Sequence, residues 1–358
     1  MEACELVAVE LRIDQIEAEL DRELVPHMRA FARAYARGTA LPPAPEVVHP
    51  PETLEAARAA LAHPVLADRG LALVRLVAPI AIESDARVVA ARAAEPTWDA
   101  LAELARARDA AAGALFGHRA IDVVHRLHGA DARDAGSSGA PGPLPPPVAG
   151  WAEPDGVALD GPAISHAWDA IRVRHGVSGA VRFERSASAR PRTFVIQPRG
   201  EVVVVIPAHI ATPADRFTVL HELGHVLAAL ALSAGIPRVI DEAAAAYLAR
   251  ALERPGEGAT SWHSPAAGAA RARRHQLARV LDQIERALPE LPAIGERPAE
   301  RPPWALWHDP GAQAAYLAAE ALADDIEREI GSAPPPGALV EALVARREVV
   351  DRIAAAAL

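Results

Sequence analysis

The stretch DRFTVLHELGHVL, residues 215–227, indicates more about the fold and the chemistry of this chain than any other stretch of the sequence. It contains His221, Glu222 and His225 in the spacing H-E-x-x-H. On a helix the two histidines lie one turn apart on the same face, as two ligands of one tetrahedral metal ion must. Glu222 is offset by about 100° of helical rotation, which lets its carboxylate act on a water molecule at the metal. The spacing therefore predicts a zinc site.

The residues that flank this stretch predict a helix. Thr212 is a good N-cap, Pro213 suits the first helical position, and Asp215 follows the cap by three residues. Apolar residues recur at helical spacing to Ala234, and the Gly-Ile-Pro run at 235–237 is expected to end the helix.

Two β-strands are predicted directly before this helix. RTFVIQ (192–197) and EVVVVIP (201–207) flank a Pro-Arg-Gly turn, which is typical of a hairpin. The core of the second strand, Val202–Ile206, is β-branched throughout. We expect this strand to pair with an extended peptide by β-addition.

A third protein ligand is needed, because two histidines are fewer protein ligands than a zinc site requires. A second helix is predicted after residue 237, with Asp241 and Glu242 near its start. Glu242 follows His225 by 17 positions, which is enough chain for a turn and a return beside the first helix. We expect Glu242 to be the ligand. Asp241 stays open as an alternative, and the acid that is not chosen can orient a ligand histidine.

The rest of the chain predicts a mainly α fold of the α+β class. Residues 1–135 carry helical periodicity and predict a helical N-terminal domain. Residues 136–150 are rich in Gly, Ser and Pro and predict a linker or long loop. Residues 151–358 are expected to form the metal-binding domain, with the small sheet, the H-E-x-x-H helix and further helices towards the C-terminus.

Charge and composition exclude several functional classes. The net charge is −10 over 358 residues, which opposes binding to nucleic acid. No uncharged apolar run is long enough to span a membrane, and the acidic N-terminus is unlike a signal peptide. The single cysteine, Cys4, excludes an internal disulfide framework. We expect a cytoplasmic protein whose partner is a peptide or an extended protein segment, with neither nucleic acid nor membrane as a partner.

DRFTVLHELGHVLAAL resembles the central helix of the gluzincin zinc metallopeptidases, which implies a zincin-like fold and a downstream glutamate ligand. RFTVLHELGH after a hairpin is similar to the metallopeptidases that cleave phage and stress repressors. The wider order of elements resembles a shortened thimet-oligopeptidase-like peptidase. In that family a terminal helix carries tyrosine, and PGAQAAYLAAEALADDIE (310–327) resembles it. The resemblance implies that Tyr316 stabilises the oxyanion of the transition state.

The chain also departs from both families. The oligopeptidases are much longer, and their glycine-tyrosine loop before the terminal helix is shortened here. An acid that several gluzincins carry four positions after the glutamate ligand is replaced by Ala246. The repressor-cleaving family does not account for the helical N-terminal residues.

The sequence supports a zinc-dependent peptidase in which Glu222 is the general base and His221, His225 and Glu242 hold the metal. Two alternatives stay open. The same ligand set suits Fe(II), so the chain is alternatively a non-peptidase metal enzyme that modifies a peptide or a small molecule. A non-catalytic helical binding protein with a vestigial site is the other alternative, and the intact Glu222 argues against it.

Overall fold

The structure is a computed structural model, and 72% of its described residues are helical. The predicted mainly α class is therefore confirmed, with one small sheet. The described residues are 2–40, 42, 50–67, 69–70, 72–73, 106, 109–110, 112–113, 117, 119, 122, 160–187, 190–196, 200–232, 236–253 and 312–357.

The helices of the described residues occur in two blocks on either side of the strands. A single π-helical turn, Leu20–Leu24, joins the first two helices. The helices are α1 (Glu2–Glu19), α2 (Val25–Arg37), α3 (Pro50–Leu61), α4 (Gly161–His175), α5 (Pro213–Leu232), α6 (Arg238–Glu253), α7 (Ala312–Ile330) and α8 (Ala338–Ala357).

The sheet of the described residues has the strand order β1-β3-β2. Strands β2 (Arg192–Ile196) and β3 (Glu201–Pro207) are antiparallel, so the predicted hairpin is confirmed. Strand β1 (Val181–Ser186) pairs in parallel with β3 and was not predicted. Its sequence, VRFERS, is half charged, because an edge strand with partly exposed faces does not need continuous apolar residues.

Strand β3 is buried on both faces, which explains its β-branched sequence. Val203 and Val205 point towards α2 on one side of the sheet. Val202 and Val204 alternate with them and point into the main core, formed with α4 and α5. The motif helix α5 therefore lies against a fixed three-stranded platform.

The position of β3 corrects one expectation from the sequence. Val202–Ile206 was expected to pair with a peptide substrate, but β3 is the central strand, with hydrogen-bonded neighbours on both sides. Its backbone groups are therefore engaged within the sheet. A peptide that adds to this sheet must pair with an edge strand instead.

The helices before residue 135 contribute to two different cores. Ile13 of α1 and Ala57 of α3 are fully buried in a cluster of their own. Helix α2 instead covers the sheet, and Arg29 donates two hydrogen bonds of 2.8 and 2.6 Å to Oε2 of Glu201. The predicted boundaries at 135 and 151, and the predicted linker 136–150, lie outside the described residues.

A buried charged cluster joins α6 to α7. Arg250 of α6 is paired with Glu320, and both side chains are about 5% exposed. Arg250 also donates to Oδ1 of Asp324 at 2.6 Å. Because such groups are costly to bury without partners, the cluster fixes how α7 lies along α6.

No helix in the described part of the chain has the length and apolar character that a membrane span needs.

We predict that Glu320→Gln lowers the free energy of unfolding by about 3 kcal/mol, because it leaves a buried guanidinium short of one negative charge. The measurement is urea unfolding followed by circular dichroism. The matched control is Glu329→Gln on the same helix, whose carboxylate is 53% exposed and pairs with Arg346. That variant should lose less than about 1 kcal/mol. Equal losses in the two variants would contradict a structural role for the buried cluster.

Candidate metal centre

The motif lies on α5, whose start is formed as the sequence predicts. Oγ1 of Thr212 accepts a hydrogen bond of 3.0 Å from the backbone N–H of Asp215. The Asp215 carboxylate accepts one of 3.2 Å from the backbone N–H of Thr212. This reciprocal capping box fixes the first turn, and thereby the direction in which the motif residues point. Helix α5 is described as far as Leu232, and its predicted end at Ala234 lies outside the described residues.

Three predicted ligand atoms converge on one point. Nε2 of His221 and Nε2 of His225 are 3.2 Å apart. Oε2 of Glu242 is 3.1 Å from Nε2 of His221 and 3.7 Å from Nε2 of His225. All three side chains are buried or nearly so, and together they could hold a metal ion.

The spacing of these atoms matches the edges of a coordination tetrahedron. With ligand distances of about 2.0–2.1 Å, a tetrahedral zinc ion separates its ligand atoms by about 3.3–3.4 Å. The observed separations of 3.1, 3.2 and 3.7 Å bracket that value. Two imidazole nitrogens face each other across this gap, and two lone pairs in that position repel unless a proton or a cation lies between them. The donor set therefore fits a divalent metal ion.

Asp241, the alternative third ligand, lies on the other side of His225. Its Oδ1 is 2.9 Å from Nδ1 of His225, so it faces the ring nitrogen that points away from the convergence point. The two atoms are in close contact but lack the alignment of a hydrogen bond, and Nδ1 of His225 has no hydrogen-bond partner among the described residues. Glu242, and not Asp241, is therefore the acid whose carboxylate lies with the Nε2 atoms of the two histidines.

The electrostatics of the centre favour a cation. Burial alone would raise the pKa of Glu242, but the charge of His225 and the contact with His221 outweigh it and lower that pKa to about 2. Burial would likewise lower the pKa of His225, but Asp241 and Glu242 outweigh it and raise the pKa to about 10. In the absence of metal a proton on His225 thus offsets part of the negative charge of Glu242 and Asp241. A divalent cation can replace that proton.

Glu222 lies next to the convergence point and differs from Glu242 in its environment. It is 8% exposed, and burial raises the pKa of its carboxyl group, with partial compensation from the charge of His225. A carboxylate of raised pKa accepts a proton more readily than an exposed one.

Thr193 of β2 was missed by the sequence analysis. Its hydroxyl donates a hydrogen bond of 3.1 Å to the backbone carbonyl of Glu222, and its hydrogen bonds lower the pKa of the Glu222 carboxyl group. Thr193 thereby fixes β2 against the motif. Nothing in the local sequence marks this threonine, because its partner is 29 positions away.

Tyr316 of α7 interacts electrostatically with Glu242. Burial raises the pKa of the Tyr316 hydroxyl, and the negative charge of Glu242 adds to this rise. Arg238, which the sequence analysis also missed, donates a hydrogen bond of 3.1 Å to the same hydroxyl. Of the predicted site residues, His221, His225 and Glu242 therefore converge, and Glu222 and Tyr316 interact electrostatically with Glu242.

The close approach of α5 and α6 depends on Gly224. A Cβ atom at this position would lie 2.3 Å from Cα of Ala245 and 3.1 Å from the carbonyl oxygen of Ala244. Both are backbone atoms of α6, so no side-chain rotation can make room. Because Ala245 lies one turn beyond Glu242, this contact sets the distance between the ligand on α6 and the histidines on α5.

Comparison of the chain with models of protein families, with curated protein sequences and with solved structures finds no match. The resemblance to the gluzincin peptidases therefore stays a prediction. The convergence of His221, His225 and Glu242 forms a group that could hold a metal ion.

We predict that Gly224→Ala lowers the free energy of unfolding of the metal-free protein by about 1–3 kcal/mol, because α6 must move away from α5. The intrinsic preference of helices for alanine, about 1 kcal/mol, acts in the opposite direction. The matched control is Gly179→Ala, whose Cβ would approach Cδ2 of Leu230 at the same distance of 2.3 Å. That methyl group ends a side chain that can rotate, so the control should lose less stability. A Gly224→Ala protein at least as stable as the wild type would exclude the proposed close contact.

Proposed function

We propose that the chain is a zinc-dependent peptidase with a gluzincin-type site. The observation that carries this proposal is the convergence of Nε2 of His221, Nε2 of His225 and Oε2 of Glu242, with the buried Glu222 beside them. Two histidines and one carboxylate are a donor set that zinc uses in hydrolases. The spacing H-E-x-x-H and the returning acidic helix support the same assignment.

The number of ligands favours a catalytic site over a structural one. Structural zinc sites are usually closed by four protein ligands, whereas catalytic sites keep one position for water or substrate. Among the described residues, three side chains make up the candidate group. Asp241 and Glu222 are next to it but serve different purposes in our proposal.

Bound at this point, zinc would polarise the substrate carbonyl group and activate a water molecule for attack. Glu222 would accept the proton that this water loses and deliver it to the nitrogen of the departing amine. Burial favours the first of these steps, since a carboxylate whose pKa is raised accepts a proton more readily than an ordinary one. Asp241 would hold the proton on Nδ1 of His225 and thereby keep its Nε2 directed at the metal.

We propose that an extended peptide binds along β2. In the described sheet β2 is an edge strand, and Thr193 joins it to the backbone at Glu222. Addition of a peptide to such an edge forms main-chain hydrogen bonds that depend little on sequence. A peptide in this position would pass beside the H-E-x-x-H helix, which fits the expected partner class of peptides and extended protein segments.

We predict that the purified protein contains one zinc ion per chain and that His225→Ala loses it, because two of the three ligands cannot hold zinc in competition with a chelator. The measurement is elemental analysis after expression without added metal and dialysis against a weak chelator. The control is His166→Ala on α4, a histidine outside the candidate group. Iron in place of zinc, with oxygen-dependent modification of a peptide, would favour the non-peptidase alternative. Full zinc occupancy in His225→Ala would contradict the site.

We predict that Glu222→Gln retains zinc and the fold but loses hydrolysis by roughly 10²–10⁴-fold, because only the proton acceptor is removed. The measurement is cleavage of a mixed peptide library, followed by mass spectrometry. The control is Glu184→Gln on β1, at the opposite edge of the sheet from β2. Unchanged turnover in Glu222→Gln would place the base elsewhere. A wild type that binds zinc but cleaves nothing would support a non-catalytic binding protein.

A further inference from the structure

We propose that Arg192, the first residue of β2, selects peptides that carry an acidic side chain. The inference rests on the proposed function, and in particular on an extended peptide that binds along β2. It adds a substrate class to that function, because a sheet edge alone binds main chains with little regard to their sequence. In this proposal Arg192 supplies the sequence preference that backbone pairing lacks.

The position of Arg192 in the sheet places it beside the proposed path of the peptide. Among the described strands, β2 pairs with β3 alone, and Arg192 lies opposite Val205 of β3. The other edge of β2 has no strand partner within the described part of the chain. Thr193, the next residue, donates a hydrogen bond to the backbone carbonyl of Glu222. Arg192 is therefore one residue away from the contact between β2 and the H-E-x-x-H helix.

Arg192 lies on the face of the sheet that α2 covers. Successive side chains of a strand alternate between its two faces, so Arg192 and Phe194 share one face and Thr193 lies on the other. Phe194 is buried against α2, whereas Thr193 contacts α5. Every second side chain of a peptide paired with β2 would lie on the same face as Arg192. The intervening side chains would lie on the face of α5.

Two aromatic rings hold the guanidinium of Arg192. Its central carbon is 5.6 Å from the ring centroid of Tyr35 and 5.4 Å from that of Phe194. The two rings are in edge-to-face contact, with their centroids 5.3 Å apart. A guanidinium at such distances is attracted by the rings. The Tyr35 hydroxyl also donates a hydrogen bond of 3.2 Å to the backbone carbonyl of Arg190, which fixes the chain just before β2. The charge is thus held in place before a peptide binds.

No carboxylate of the described residues neutralises the exposed side chain of Arg192. By contrast, Arg182 on the other edge strand, β1, is paired with Glu184 at 3.0 Å. A guanidinium contacts aromatic rings through its flat face, and its planar set of N–H donors matches a carboxylate. The net charge of −10 opposes the approach of nucleic acid. The carboxylate of a peptide side chain is therefore the partner that fits Arg192 best.

An acidic residue of the peptide would form an ion pair with Arg192 across the two strands. Opposite charges that face each other on paired strands stabilise the pairing, and salt weakens the attraction. Because Thr193 joins β2 to the backbone at Glu222, the acid would lie at a fixed distance from the bond that is cleaved. We therefore expect a preference for aspartate or glutamate at alternate positions of the peptide and none at the positions between them.

The test measures peptide binding without hydrolysis. Short fluorescein-labelled peptides of alanine, valine and threonine carry one central residue, which is glutamate, glutamine or lysine. Their binding to the Glu222→Gln protein is followed by fluorescence anisotropy at low salt, with Arg192 intact or changed by Arg192→Gln or Arg192→Glu. The matched control is Arg182→Gln, an exposed arginine of the opposite edge strand. Thermal melting checks that each variant is folded.

We expect the protein with Arg192 to bind the glutamate peptide roughly two- to fivefold more tightly than the glutamine peptide. Arg192→Gln should abolish this difference, and Arg182→Gln should keep it. Arg192→Glu should favour the lysine peptide, because the charges are then exchanged. In the wild type, cleavage of a mixed peptide library should show the same preference for acids, and Arg192→Gln should lose it.

Equal binding of the glutamate and glutamine peptides to the protein with Arg192 would overturn the inference, as would a preference that survives in Arg192→Gln. Failure of every peptide to bind would also overturn it. In each of these cases, cleavage of the library by the zinc-loaded wild type would still support the proposed function. A wild type that prefers the glutamate peptide through Arg192 but cleaves nothing would instead contradict the peptidase and leave the inference in place.

Discussion

The metal centre depends on the close crossing of α5 and α6 at Gly224. One ligand pair lies on α5 and the third ligand lies on α6, so the gap between the two helices decides whether three atoms can meet. A side chain at Gly224 would touch the backbone of Ala245 and push Glu242 outwards. The run of alanines that follows Glu242 serves the same purpose, because small residues let two helix backbones approach. What looks like alanine-rich composition in the sequence is here a geometric requirement.

The side chains of the site combine ionisable groups with very low solvent exposure. Glu222, Glu242 and His221 are all less than 9% exposed, and the removal of such groups from water is unfavourable unless they are paired. In the metal-free protein a proton on His225 provides part of the compensating charge. A divalent cation would provide it at the point where the three donor atoms already meet. The same arrangement thus explains why the site is costly to bury and why it would bind a metal ion.

The sequence predicted those parts of the fold and site that local signals mark. The capping box at Thr212, the hairpin before it and the returning acid Glu242 all follow from residue spacing. Strand β1, Thr193 and Arg238 did not, because each acquires its role from a partner distant in the sequence. Strand β3 was recognised as a strand, but its β-branched residues were assigned to a peptide-binding edge. A strand buried on both faces has the same composition, and only its neighbours identify it as central.

Binding of a metal ion at this site would be coupled to folding, because the three candidate ligands come from two helices. His221 and His225 lie on α5, and Glu242 lies on α6. The unfolded chain cannot bring these atoms together. The metal therefore stabilises the folded state by a free energy that grows as the metal concentration exceeds the dissociation constant. The linkage runs in both directions. If metal binding stabilises the packing of α7, a substitution that loosens α7 must weaken metal binding by a corresponding amount. This holds even for a substitution far from the ligands. The buried Arg250–Glu320 pair lies two helical turns from Glu242 on α6, and it would therefore contribute to the energetics of metal binding without touching a candidate ligand.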